Sequence, residues 1–455
     1  LYDFFTHTPK KRLAPEAADF FPIIADFGAV QQEFHIGRGS IATPGMVKGL
    51  FKVHEELGRI PMKRLIEPAL ALARDGVRIN RLQAYIFNVV EPIYTANEES
   101  RCHFGSHEKP GRLLAEGEIL KAPDFADALE ALVREGDDLF YQGDMARRMV
   151  EEGLAGGGVL TRSDLEEYRV IKRAPLKISV AGTHLFTNPP PSTGGILIAF
   201  AVALLRGAGL RDAGFGSVRH LGALAEAMRQ TNKARVDGAF HGGDEAALGL
   251  LDPDFVEAYR KKVLGAPPAL RGTTHISVID GEGNAAGISV SNGEGSGYMI
   301  PGTAIMLNNM LGEEDINPGG FHQWAPDRRM CSMMAPSLLA SSADGSGGDL
   351  VMLGSGGSNR IRTAILQVIL NLLEFGQPVG EAVASPRIHY ENGRLSIEPG
   401  FDAVRPADLS GDFEEIKLWD EKNLFFGGVH VASRTGKNRF EGAGDPRRGG
   451  GVRGV

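Results

Sequence analysis

Two cysteines among 455 residues, Cys102 and Cys331, make no disulfide framework, and they leave the redox compartment open. No apolar run approaches the ~20 residues that cross a bilayer as a helix. Basic residues are not in excess. The formal charge is −8, which gives no electrostatic footprint for nucleic acid or for an anionic membrane. His35, His322 and His389 lack the spacing of metal ligands, and no internal repeat is present. The 42% hydrophobic and 23% charged residues match an ordinary globular chain, and the length is ample for a large core.

Glycine, by contrast, is plentiful at 60 residues, clustered in loops where backbone can approach a ligand. The most informative run is "LRGTTHISVIDGEGNAAGISVSNGEGSGY", residues 270–298. Its period of two predicts two strands, "HISVID" and "NAAGISVS", joined by Asp-Gly-Glu-Gly hairpin chemistry. Thr273 opens the first strand directly after Gly272. On local pattern alone that is a strand entry. Were the Gly272–Thr273 bond broken, Thr273 would carry a hydroxyl nucleophile and a free α-amine base on one residue.

Ahead of this run the pattern is helical. Thr43-Pro44-Gly45 leads into "MVKGLFKVHEELG". "PMKRLIEPALALARDG" follows, with Pro68 predicting a kink or a break. Asp124 is a candidate cap for "DFADALEALVREG", and Thr161-x-x-Asp164 reads as a capping box. The period switches to two at "RAPLKISVAGTHLFTNPP", and an apolar helix, "ILIAFAVALL", and a second long helix follow. After the hairpin, "MAPSLLASS" and "DLVMLGSGGS" read as paired strands and "NRIRTAILQVILNLLEFG" as a helix leaving a glycine loop. Residues 256–272 read as an exposed linker of the kind a processing site needs. Arg447-Arg448 reads as a solvated tail, and His275 as a structural residue of the hairpin. Helices, strands and helices around one core predict a layered α/β (α+β) sandwich.

"TTHISVID", "GNAAGISVS", "IMLNNML", "SMMAPS" and "GSGGSNRI", in that order, resemble the γ-glutamyltranspeptidase (glutathione hydrolase) family. Upstream, "ATPGMVKGL", "IEPALALARDG", "FTNPPPSTGGI", "AEAMRQTNKARVDG" and "DPDF" add to the likeness, which reaches "GDPRRGG" near the end. The resemblance implies the four-layer αββα sandwich of N-terminal-nucleophile hydrolases. It also implies self-cleavage between Gly272 and Thr273 into a large part, 1–272, and a small part, 273–455, associated as one intertwined domain. The family has a further N-terminal region, so the chain, opening at Leu1, is expected to lack its start, and its compartment stays open.

In the reaction so implied, Thr273 attacks a γ-glutamyl amide, such as that of glutathione, and passes the acyl group to water or to an amino acid or peptide. No metal or organic cofactor is implied, and no nucleic acid or membrane partner. Ser291 matches the hydroxyl residue that binds the nucleophile's amine, and Gly356-Gly357 matches the oxyanion hole. A glycine loop before a helix also suits a phosphate, but "GSGGSNR" lacks P-loop spacing. Asn292, Glu313, Cys331 and Ser332 match substrate-binding positions, Cys331 in place of a serine and Glu313 in place of an aspartate. The family's carboxylate-binding arginine is replaced by Phe5, which cannot form a bidentate clamp. Arg38 and Arg360 are the candidate substitutes. This departure favours an acylase of the same fold with another acyl group, as in cephalosporin or glutaryl acylases, and the expected lack of a start leaves a non-catalytic binding relative as a further alternative.

Overall fold

A computed structural model describes residues 1–455 except 27–30, 238–248, 253–254, 257–272, 318, 346–347, 403 and 410–412. The described chain divides into two compact units, Leu1–Arg173 with Ser291–Met330, and Ala174–Val290 with Cys331–Val455. The linker read at 256–272, and Gly272 with it, falls almost wholly outside the described residues.

The first unit is mostly helical. α1 (Met46–Leu57) ends where the Gly58 N–H reaches the His54 carbonyl. α2 (Met62–Asp75) carries Pro68 in its interior without breaking. The expected split into two segments is not observed, because a proline deletes one ladder bond while the neighbouring turns keep theirs. α3 (Pro123–Glu135) is capped by Ala122 with no side-chain bond, so Asp124 is a first-turn acid rather than the cap. It pairs with α2 through Arg74, which reaches Asp127 and Glu130. The capping box is present, with the Thr161 N–H on Asp164 at 2.7 Å. α4 (Asp144–Ala155) buries Met145 and Met149 in a core with Phe140, Leu165 and Ile300, and each such side chain contributes about 1.5–3 kcal/mol. β1 (Phe21–Asp26) and β2 (Gln31–Ile36) are antiparallel, Ile23 facing Phe34.

The second unit is built on a six-stranded antiparallel sheet. β3 (Leu176–Val180) and β4 (Thr183–Thr187) form one edge, and α5 (Thr193–Leu205) and α6 (Val218–Asp237) follow in the chain. β5 (Thr274–Ile279) and β6 (Ala285–Val290) are the predicted hairpin, with Thr274 opposite Val290 and Ile276 opposite Ile288. Its turn is closed by Asp280, which takes the Asn284 N–H at 2.8 Å. β7 (Ser337–Ala340), β8 (Leu350–Gly356), α7 (Arg360–Leu373) and α8 (Val379–Ala384) come next. β9 (Ile388–Glu391), β10 (Arg394–Ile397) and β11 (Glu415–Leu418) make a small separate sheet. β12 (Gly428–Thr435) and β13 (Arg439–Ala443) complete the large one, ordered β13-β12-β8-β7-β4-β3.

Alternation along β8 sorts its neighbours. Met352, Gly354 and Gly356 face the hairpin, whereas Ser355 faces the side of α7. The hairpin thus lies on one face of the sheet and helices on the other, an α–β–β order of layers within this unit.

Candidate active site

Glycine decides how closely the hairpin approaches the sheet. A Cβ on Gly287 would overlap the Met352 side chain, one on Gly354 the His275 ring, and one on Gly356 the Thr273 carbonyl oxygen. The last contact brings the candidate nucleophile residue against the first glycine of the candidate oxyanion loop. His275 faces the sheet, and period two puts Thr273 on the same face. Beyond Gly356 the chain reverses through Gly357 (φ 119°) and Ser358 (φ 52°), and α7 begins two residues later. A left-handed serine is uncommon, and such strain concentrates at functional turns. The loop therefore presents backbone N–H groups at the head of a 14-residue helix, where the dipole favours negative charge. Asn359 anchors it from below, donating to Glu391 at 2.7 Å and accepting from Arg235 at 3.1 Å.

His275 is structural, as read from the sequence. Its ring bridges Ser289 Oγ and Ser277 Oγ, both at 2.8 Å. Burial, assisted by His430, pushes its pKa down to about 3 from an ordinary 6.5. A depressed histidine binds its proton in the unfolded chain first. The stability it contributes is therefore fully present above about pH 6.5 and drains as pH falls toward about 3. His275→Gln should flatten that part of the profile, so the gap between its urea midpoint and the wild-type value should narrow on acidification.

The first unit gathers Ser291, Asn292 and Glu313. Ser291 Oγ takes the Gly293 N–H at 3.0 Å, closing a tight turn. A Cβ on Gly293 (φ 70°) would overlap both Asn309 Oδ1 and Glu313 Oε1, so these two groups stand directly over the turn. Asn309 Oδ1 accepts from the Glu294 and Gly295 N–H groups at 3.0 and 3.3 Å, and the Asn292 carbonyl accepts from the Asn309 N–H at 3.2 Å. Asn309 has no exposed surface, and Glu313 is 3% exposed. Asn308 holds the Ala42 peptide with both ends of its amide. The "LNN" motif was visible in the sequence, but nothing local to it assigns the two amides to these turns.

Cys331 and Ser332 lie in the second unit, at the start of α5. The Thr193 N–H reaches the Ser332 carbonyl at 2.9 Å, Thr193 Oγ1 lies 3.5 Å from Cys331 Sγ, and Ser192 Oγ donates to the Met334 carbonyl at 2.9 Å. The Pro-Pro-Ser-Thr-Gly-Gly turn thus cradles residues 331–334, a role the sequence reading did not assign.

Neither candidate substitute for the missing arginine is an open clamp. Arg360 is 1% exposed, with Nε on the Phe425 carbonyl at 2.9 Å and its guanidinium over the Phe425 ring. Arg38 leans on the Tyr298 ring and toward Asp19. Phe5 itself packs on Met310, Leu311, Trp324 and Met330. Its carbonyl accepts from the Tyr168 hydroxyl at 2.7 Å and from the Arg329 guanidinium. Among the described residues no group of three or more His, Cys, Asp or Glu side chains is arranged to hold a metal ion.

The family profile named Gamma-glutamyltranspeptidase matches residues 12–455. The chain belongs to that family. Its members include enzymes named glutathione hydrolases: the glutathione hydrolase proenzyme of a Pseudomonas species is 28% identical over 459 residues, 90% of this chain and 76% of that protein. The acylase ACY 1 proenzyme of another Pseudomonas strain is 29% identical over 401 residues, 84% of this chain and 70% of that protein. The crystal structure of a cephalosporin acylase from Bacillus halodurans shares the fold at a TM-score of 0.78, with 21% identity across 99% of this chain and 84% of that one. The expected N-terminal-nucleophile hydrolase class, an α+β architecture, is therefore correct. Glutathione hydrolases and acylases both stand among the similar proteins.

The reading of Arg447-Arg448 as a solvated tail is wrong. Arg447 has no exposed side-chain surface and is paired with Glu398 and Asp445, while Arg448 lies against Gly357 and Gly428.

Proposed function

We propose that this chain is an autoprocessing N-terminal-threonine amidohydrolase of the glutathione hydrolase type. Thr273 Oγ first attacks the Gly272 carbonyl. The acyl group moves from nitrogen to oxygen, freeing the Thr273 α-amine, and water hydrolyses the ester to leave a Gly272 carboxylate. In the mature enzyme Oγ attacks a γ-glutamyl amide while the α-amine takes its proton and hands it to the leaving amine. Water, or the amine of an amino acid or peptide, then attacks the threonine ester and releases the acyl group. Ser291 steadies the α-amine, and Gly356-Gly357 N–H groups receive the oxyanion. Asn292, Glu313, Cys331 and Ser332 bind the acyl group. Parts 1–272 and 273–455 stay associated, which fits the fact that each compact unit takes chain from both sides of Thr273.

The observation that carries this reading is the closure of Gly356 on the Thr273 carbonyl at the head of α7. The name proenzyme, borne by the similar glutathione hydrolase and acylase, agrees with it. A second reading, an acylase for another acyl group, is favoured by Phe5. Rates on γ-glutamyl and glutaryl p-nitroanilide separate the two, since these differ only in the α-amino group. The buried Glu313 carboxylate is the partner for that amine, so Glu313→Gln should cost roughly 30-fold in kcat/KM on the γ-glutamyl compound and little on the glutaryl one. A wild type faster on glutaryl anilide, with Glu313→Gln affecting both equally, would establish the second reading instead.

A further inference from the structure

We propose that Ser355 is a positioning residue for the oxyanion hole, aiming the Gly357 N–H through the peptide that joins Gly356 to Gly357. The inference rests on the proposed role of that loop and adds a residue to it. A trans peptide is planar, and its C=O and N–H point in opposite directions. Whatever holds the Gly356 carbonyl therefore fixes the direction of the Gly357 N–H.

Ser355 Oγ is the group that holds it, donating to the Gly356 carbonyl at 2.9 Å. The same oxygen accepts the Gly428 N–H at 3.1 Å, across the β8–β12 pairing in which Gly356 faces Gly428. Ser355 has no exposed surface. Space around the hydroxyl is closed: a Cβ on Gly427 (φ 76°) would come within 3.1 Å of Oγ. The strand on the accepting side is itself fixed, because the Val429 N–H is bonded to the buried Asp445 carboxylate at 2.9 Å. A single hydroxyl can accept from one backbone group and donate to another, which neither alanine nor a carbonyl-bearing side chain of that size can do. Facing the α7 side of the sheet, Ser355 touches no reacting atom, and its effect passes through the peptide plane.

The test is Ser355→Ala, with Ser355→Cys as an isosteric variant whose thiol is a weak donor. On self-processed protein, kcat on the better anilide should fall on the order of tenfold in the alanine variant, less in the cysteine variant, with KM within about twofold. In a Thr273→Ala background, where no turnover is needed, amide hydrogen exchange across residues 354–359 should quicken in the same order. Unchanged exchange would refute the hold on the loop. Faster exchange with an unaltered kcat, or a loss confined to KM, would refute the positioning role. A wild type that hydrolyses no amide, combined with faster exchange in the variants, would sink the proposed activity while upholding the Ser355 contact.

Discussion

Thr273→Ala should purify as a single uncut chain, whereas the wild type should yield two fragments whose masses place the cut between Gly272 and Thr273. The hydroxyl acts twice in the proposed chemistry, first on its own preceding carbonyl and then on substrate, so one substitution removes both steps. Amidase activity should drop on the order of 10⁴-fold or more, the scale seen when a nucleophile is deleted from a catalytic unit. Thr273→Ser keeps the hydroxyl and should still cleave. Intact-mass spectrometry after incubation reads all three. A cut at another position, or an uncut wild type, would remove the free α-amine that the mechanism requires. The fold would then be that of a binding relative, with the glycine-lined approach to the hairpin serving packing alone.

The second large effect concerns stability. Arg387, Glu398, Asp445 and Arg447 form a buried ionic group in the second unit. Arg387 Nη2 meets Asp445 Oδ2 at 2.7 Å, and Arg447 Nε meets Glu398 Oε1 at 2.7 Å while its Nη2 reaches Oε2. Backbone groups add to the network: Glu398 takes the Arg387 N–H at 2.9 Å, and Arg447 Nη2 donates to the Ser385 carbonyl at 2.8 Å. Burial raises the Asp445 pKa, but the two guanidiniums and the Val429 and Arg447 N–H groups outweigh it and hold the carboxyl below its usual value. Arg447→Met leaves Asp445 its Arg387 partner but strands the Glu398 carboxylate out of water, and should cost about 3–5 kcal/mol. Pairing it with Glu398→Leu removes the stranded charge and should recover part of that loss. Urea midpoints of the single and double variants measure the difference. A single variant within 1 kcal/mol of wild type would mean that water reaches the group.

Legibility in the sequence followed the range of the interactions. The hairpin, the strand pair after it and α7 were all readable, because period, turn chemistry and capping act over a few residues. Of the kink or break expected at Pro68, the break did not occur: the amphipathic run around it held one helix together. Arg447 was misread for the opposite reason. Adjacent arginines after Gly-Asp-Pro look solvated until partners 49 residues away, at Glu398, and beside Asp445, 58 residues from Arg387, are brought to them. Asn309 stood inside a recognised motif, but its hold on the turn after Ser291 depends on how the chain closes between residues 292 and 309. Phe5 was identifiable only as a departure from the family pattern, and its surroundings of methionine and tryptophan came from the fold.

Each compact unit is woven from segments on both sides of residue 273. Scission there would change the number of termini without making two separable bodies. Gel filtration should report one particle of undiminished size, and the halves should part only under denaturant. Separately synthesised halves would face a concentration-dependent assembly problem that one continuous chain does not have.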